Sequence, residues 1–271
     1  MSLLLHISDT HFGTEDPPVV AALQRLSEAL APDVLVLSGD ITQRARRAQF
    51  EAARSFCDAL GIARMLALPG NHDIPLFNLA ARALDPYGGY RAAFGPELEP
   101  ELEGDDLLLV GVNTTRPARH KDGEVSAAQI ARVVQRLERA QRRQLRVVVT
   151  HQPACVMRAE DEPDRLHGGH AALRAWSAAG ADLVLGGHIH LPYLADAGAL
   201  VPGTPRPLFC VQAGTAVSRR VRHGSPNSVN VLRWAPPAPG ESRQCRVERW
   251  DYELAQERFE CSHEQLLRLA D

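Results

Sequence analysis

Five short stretches of this 271-residue chain carry side chains that bind metal ions: Asp9-Thr10-His11, Gly39-Asp40, Gly70-Asn71-His72-Asp73, His151, and Gly187-His188-Ile189-His190. Carboxylate, carboxamide and imidazole donors with no thiolate among them suit Mn, Fe, Zn or Co better than copper(I) or an iron–sulfur cluster. There are enough donors for two ions. Singly, each motif is close to noise, because a shuffled chain with 16 Asp and 11 His would hold roughly 0.65 Asp-x-His and roughly 0.45 His-x-His matches. The informative event is joint: five motifs in one order, each closing its own apolar run.

Those runs, at residues 3–8, 34–38, 64–68, 146–150 and 183–185, read as β-strands, so the donors sit where the backbone leaves a sheet and side chains converge. Pro17 and Pro18 open a helix with Val19, Val20, Leu23, Leu26 and Leu30 on one face, and a second amphipathic helix is expected around residues 48–60. The rhythm is α/β. Residues 74–104 break it with Pro75, Pro86, Gly88, Gly89, Gly95, Pro96 and Pro100 and read as a surface excursion with a short helix near Leu79, placed to shape access to the site. A strand at 107–112 follows, then a helix over 126–144 with Ser126 as N-cap and Gln129 three residues on. After a polar loop, residues 171–179 read as another helix. Strands at 208–212, 228–234 and 245–252 close the pattern. The expected architecture is a four-layer αββα sandwich of mixed sheets, a single domain over residues 1–271, with the C-terminal strands of 200–255 completing the second sheet. The length allows one large domain or two small ones, and one is expected because donors from residue 9 to residue 190 must meet.

Net charge −3 and a sequence pI near 6.4 give no global basic field to recruit nucleic acid or anionic lipid. Cys57, Cys155, Cys210, Cys245 and Cys261 are odd in number and contain no Cys-x-x-Cys pair, which reads as reduced thiols. The first strand starts beside the initiator Met and already leads into Asp9 and His11. No removable signal or membrane span fits there, and a cytoplasmic protein is expected, with homo-oligomerisation left open.

The ordered set Asp9-x-His11, Gly39-Asp40, Gly70-Asn71-His72-Asp73, His151, Gly187-His188-x-His190 resembles the calcineurin-like metallophosphoesterase superfamily. Within it, the chain most resembles bacterial class III 3′,5′-cyclic-nucleotide phosphodiesterases and related glycerophosphodiesterases. The resemblance implies that Asp9, His11, Asp40 and His190 hold one metal ion and Asp40, Asn71, His151 and His188 the other, with Asp40 bridging. It also implies that His72 contacts the transition state and protonates the leaving alkoxide, with Asp73 as its orienting partner. Two-metal hydrolysis needs ions roughly 3.5–4 Å apart and can bring a bridging water's pKa toward neutrality, so a metal-bridging hydroxide is the expected nucleophile. Two divalent ions against Asp9, Asp40 and that hydroxide leave a charge of about +1, which suits a singly charged phosphodiester.

The resulting expectation is a binuclear metal-dependent phosphodiesterase acting on a small diester, first a 3′,5′-cyclic nucleotide, with glycerophosphodiesterase or broad phosphoesterase activity as alternatives. A repair-type nuclease would want a DNA-binding cap and a basic groove, which about 80 residues after the last motif and a net charge of −3 do not favour. A non-catalytic scaffold of the same fold should have lost a ligand or the acid. The protein phosphatase branch continues Gly-Asp with Asp-Arg-Gly, where this chain has Ile41-Thr42-Gln43, and the lipid A branch usually has Arg where His72 stands. Gln152 departs from the family's His-His-Pro, which touches a contact beside His151 rather than the ligand. Weaker candidates are Asn113 after the 107–112 strand, His167 and His170 as lid residues, and the Arg219, Arg220, Arg222 cluster, where an arginine can clamp phosphate.

Overall fold

The computed structural model describes residues 2–270. Its strands are β1 (Ser2–Ile7), β2 (Val34–Leu37), β3 (Arg64–Ala67), β4 (Glu101–Glu103), β5 (Leu107–Gly111), β6 (Leu145–Val149), β7 (Leu183–Gly186), β8 (Tyr193–Asp196), β9 (Phe209–Gln212), β10 (Ser228–Trp234), β11 (Gln244–Glu253) and β12 (Arg258–Arg268). The helices are α1 (Pro17–Leu30), α2 (Arg47–Ala59), α3 (Leu79–Leu84), α4 (Gly88–Phe94), α5 (Ala127–Leu137), α6 (Gly169–Ala178) and α7 (Ala197–Leu200). Two six-stranded sheets result, ordered β12-β11-β10-β1-β2-β3 and β4-β5-β6-β7-β9-β8. β1, β2 and β3 run parallel in the first, and β5, β6, β7 and β9 in the second.

The central strands are aliphatic at nearly every position because both of their faces are covered. Leu4, Val34 and Val36 of the first sheet meet Leu107, Leu109, Val147, Val149 and Leu185 of the second in the core between the sheets. Their alternates Leu5, Ile7, Leu35 and Leu37 pack under α1 and α2, against Val19, Leu23, Phe50 and Phe56. On the far side, Leu108, Val110, Val148 and Val184 pack under α5 and α6, against Val133, Leu137, Leu173 and Trp176. These are the four layers of the expected αββα sandwich.

The late strands are distributed differently from the sequence reading. Of them, only β9 joins the second sheet, whereas β10, β11 and β12 extend the first, with β10 antiparallel to β1. β10 supplies Val229 and Val231 to the helix side and Leu232 and Trp234 to the inter-sheet core, so burial on both faces requires an interior place. β12, unforeseen, is polar and mostly exposed, which suits an edge. The helix expected to reach residue 144 ends at Leu137, the last buried residue of its apolar stripe, after which the chain tightens into turns. Its N-terminus has the expected reciprocal cap: Gln129 N–H donates to Ser126 Oγ at 3.2 Å and Ser126 N–H to Gln129 Oε1 at 3.0 Å.

His6, buried in β1, lies between Ser38 Oγ at 2.9 Å and the Asn230 carboxamide at 3.3 Å. Burial pushes its pKa down to about 3. The folded protein therefore holds His6 neutral while the unfolded chain protonates it below about pH 6.5, so this residue's contribution to stability is lost as pH falls. With chelator present throughout, the loss of unfolding free energy between pH 7.5 and pH 5.5 should be smaller in His6→Gln than in the wild type by about 1.4 kcal/mol, as read from urea titrations at the two pH values.

Candidate metal centre

All seven residues proposed as ligands leave the C-terminal ends of parallel strands: Asp9 and His11 after β1, Asp40 after β2, Asn71 after β3, His151 after β6, and His188 and His190 after β7. Backbone hydrogen bonds tie these turns to one another, from Asp9 N to Gly39 O at 3.1 Å, His11 N to Asp40 O at 3.0 Å and Gly187 N to His151 O at 2.8 Å. Asp9, His11, Asp40, His188 and His190 have φ between 41° and 75°, five of the eight non-glycine residues with positive φ among those described. That conformation costs an L-residue roughly 1 kcal/mol or more, and here it turns successive side chains toward one point. Glycine precedes two of these turns for lack of room. A Cβ on Gly39 would lie 2.5 Å from His151 Nδ1, and one on Gly187 2.5 Å from Asp9 Oδ2.

The donors form overlapping groups whose atoms lie within 4.8 Å of one another: Asp9, His11 and His190; His11, Asp40 and His72; Asp40, His151 and His188. His11 Nε2 is 3.8 Å from Asp9 Oδ1 and 3.3 Å from His190 Nε2. Asp40 spans the groups with one oxygen each way, Oδ2 at 3.7 Å from His11 Nε2 and Oδ1 at 3.2 Å from His151 Nε2. Asn71 Oδ1 faces His151 Nε2 at 3.3 Å. The outer ring nitrogens are anchored: His151 Nδ1 on the Ser38 carbonyl at 2.8 Å, and His190 Nδ1 on the Arg220 carbonyl and on Thr215 Oγ1 at 2.6 Å. With Nδ1–H donated to a carbonyl, Nε2 presents its lone pair inward, as a metal-ligating histidine does.

Asp9 Oδ1 and His188 Nδ1 are buried without a hydrogen-bond partner. Such atoms cost free energy unless something satisfies them, and two cations among these donors would do so. The residues fit the ions. Electrostatics agrees: burial pushes the Asp40 carboxyl up, but His151, His72 and His11 outweigh it and hold it well below the usual carboxylate range. Burial likewise lowers His11, and burial with His151 takes His188 down to about 3. His151 is pushed down by burial but held up at about 9 by Asp40, so a cation beside Asp40 competes with that proton.

His72 and Asp73 are arranged differently from the sequence reading. The Asp73 carboxylate accepts from Ile41 N–H at 3.0 Å, Thr42 N–H at 2.8 Å, Gly70 N–H at 2.8 Å and Thr42 Oγ1 at 2.8 Å. Its oxygens are thus spent pinning the Asp40 turn to the Asn71 turn and do not orient the imidazole. Burial, then the Asp40 charge, push its pKa up to about 6. The ring of His72 is oriented by the Gln43 carbonyl, 3.0 Å from Nδ1, and its Nε2 faces Arg220 Nη1 at 3.1 Å. A guanidinium on that nitrogen opposes a metal ion there, which sets His72 apart from the neighbouring Asn71.

The site opens into a cleft of about 380 Å³ lined by Asp40, Asn71, His72, His188 and His190 with Lys121, Asp161, Asp164, Arg220 and Arg222. The excursion at 74–104 contributes nothing to this lining. Access is shaped by the loops carrying Lys121, Asp161 and Asp164, and by Arg220 and Arg222. Buried Gln152 holds one of these loops, donating from Nε2 to the Lys121 carbonyl at 3.1 Å. Asn113 is a turn former, its Oδ1 accepting from Thr115 N–H at 3.1 Å, and neither His167 nor His170 lines the cleft. Arg219 is exposed near Asp16, whereas Arg220 enters the site.

A family model described as calcineurin-like phosphoesterase matches residues 3–192. The glycerophosphodiester phosphodiesterase GpdQ of Enterobacter lignolyticus is 38% identical over 84 residues, which are 26% of this chain and 29% of that relative's length. Among solved structures, a dimetal phosphatase from Danio rerio superposes with a TM-score of 0.65 at 12% identity, covering 99% of each chain. Purple acid phosphatase PPD1 from yellow lupin (Lupinus luteus) seeds superposes with a TM-score of 0.64 at 10% identity, covering 98% of this chain and 53% of that one. At these identities the likeness is one of fold. Among the described residues no helix is long and apolar enough to cross a membrane.

Proposed function

The chain belongs to the calcineurin-like phosphoesterase family, and we propose that it is a two-metal phosphodiesterase acting on a small diester. The observation that carries this reading is Asp40, whose two carboxylate oxygens face separate groups of imidazole and carboxylate donors. Asp9, His11, Asp40 and His190 would hold one ion and Asp40, Asn71, His151 and His188 the other, drawn from Mn, Fe, Zn or Co. When bound, the ions supply positive charge against the phosphoryl oxygens and a water acidic enough to act as nucleophile near neutral pH.

The protein's own groups do the rest. Backbone carbonyls fix the Nε2 lone pairs of His151 and His190, and Asp73 fixes the relative position of the two turns that carry Asp40 and Asn71. His72 sits at the cleft wall with Nδ1 on the Gln43 carbonyl, which leaves Nε2 as the atom that passes a proton to the leaving oxygen. A phosphoryl oxygen is a stronger partner for a guanidinium than an imidazole is, so a bound phosphate draws Arg220 off Nε2, which then takes up a proton from solvent and passes it to the leaving oxygen. A 3′,5′-cyclic nucleotide is the first substrate to try. The segment shared with a glycerophosphodiester phosphodiesterase supports a glycerophosphodiester as the second.

Hydrolysis of bis(p-nitrophenyl) phosphate is expected to exceed that of p-nitrophenyl phosphate, to stop on chelation and to return with Mn, because a site of charge about +1 suits a singly charged diester. Much faster turnover of the monoester, with the diester barely touched, would sink the diesterase reading. Parallel assays with cyclic nucleotides, glycerophosphodiesters and single-stranded DNA rank the natural substrate classes.

A further inference from the structure

Three cations line the cleft, and two are already neutralised. Lys121 Nζ pairs with Asp164 at 2.7 Å, and Arg222 pairs with Asp161 at 2.7 Å and Glu160 at 2.6 Å. Arg220 has no carboxylate partner among the described residues. Its Nη1 donates to Gln43 Oε1 at 3.1 Å and lies 3.1 Å from His72 Nε2 and 3.4 Å from His11 Nδ1, and none of these side chains is a carboxylate. Its Nε and Nη2 carry no hydrogen bond among the described residues. A half-buried guanidinium held against amide and imidazole groups is poorly compensated. Its remaining donors form a planar fork that matches two oxygens of one phosphate.

The backbone beneath it is tightly held. The Arg220 carbonyl takes the His190 Nδ1–H and accepts from Thr215 Oγ1 at 2.9 Å, its N–H donates to Ser218 Oγ at 3.2 Å, and Arg219 N–H donates to the Thr14 carbonyl at 2.9 Å. The residue that supports a proposed metal ligand through its carbonyl thus sends its side chain across the same site to His11 and His72. Such a cation is preorganised for charge on the phosphoryl group, since no loop need move to bring it there.

We propose that Arg220 is a catalytic residue that holds the non-bridging oxygens of the substrate phosphoryl group from the His11–His72 side of the cleft, an inference that rests on the phosphoesterase reading above. Arg222, two residues on, is excluded from this role by its two acidic partners and serves as the control.

The test compares Arg220→Met, Arg220→Lys and Arg222→Met with the wild type in the Mn-loaded protein, by elemental analysis, by calorimetric binding of inorganic phosphate, and by kcat and KM on bis(p-nitrophenyl) phosphate. Arg220→Met should keep both metals, bind phosphate about 10- to 100-fold more weakly, as expected for a lost charge-assisted pair, and lose about as much in kcat/KM. Arg220→Lys should recover part of both, and Arg222→Met should bind phosphate within about threefold of the wild type. Unchanged phosphate binding in Arg220→Met with metals retained would overturn the proposal, and so would loss of a metal ion in both Arg220 variants, which would make the residue a structural support. A wild type that binds no phosphate and hydrolyses neither ester would overturn the phosphoesterase reading itself, and this inference with it.

Discussion

Asp40→Ala should lose at least one of the two metal ions and, with it, turnover by about 10³-fold or more, since a metal ion's share of transition-state stabilisation is several kcal/mol. Asp40 faces both donor groups, at 3.7 Å from His11 Nε2 and 3.2 Å from His151 Nε2, so its removal leaves neither group complete. It also accepts the His72 N–H at 2.8 Å, and Asp40→Asn, which keeps that acceptor, separates the loss of charge from the loss of the turn. Asn71→Ala should weaken mainly the second ion. Elemental analysis carried out beside thermal unfolding distinguishes metal loss from misfolding. Two tightly bound ions in folded Asp40→Ala would refute the bridging role.

His72→Ala should keep both ions yet lose roughly 10²- to 10⁴-fold in turnover of substrates with alkoxide leaving groups, the range typical of removing a general acid. The loss should shrink for p-nitrophenolate esters, whose leaving group needs little protonation. The adjacent residues Asn71 and His72 divide because their surroundings do: Asn71 Oδ1 faces the His151 imidazole, while the His72 ring is held between the Gln43 carbonyl and a guanidinium. Equal losses on both ester types would reassign His72 to the phosphoryl oxygens, where the Arg220 variants are expected to act. Loss of an ion would instead make it a ligand.

The candidate donors were legible because each follows an apolar run, and a run of that kind ends where the chain must leave the sheet. The Ser126–Gln129 cap was legible for a similar local reason. Arg220 was visible only as one of three arginines with equal claims, since what distinguishes it is the absence of an acid beside it, while Arg222 meets Glu160 and Asp161 from some 60 residues away. The orienter of His72 was misjudged as Asp73 because a neighbouring carboxylate is conspicuous in a sequence. A backbone carbonyl such as that of Gln43 has no residue type to announce it.

Residue type and order alone marked the candidate donor set, the alternation that builds two covered sheets, and the strand ends at which the candidate donors appear. These are local properties, written within a few residues of each position. Which sheet received the late strands, how Asp40 points one oxygen to each donor group, which carbonyls fix the imidazoles and which arginine reaches the cleft were decided by tertiary structure. Each depends on contacts between segments far apart in the chain, such as Asp9 with His190 and His11 with Arg220, and on left-handed backbone at five donors that the packed turns hold in place.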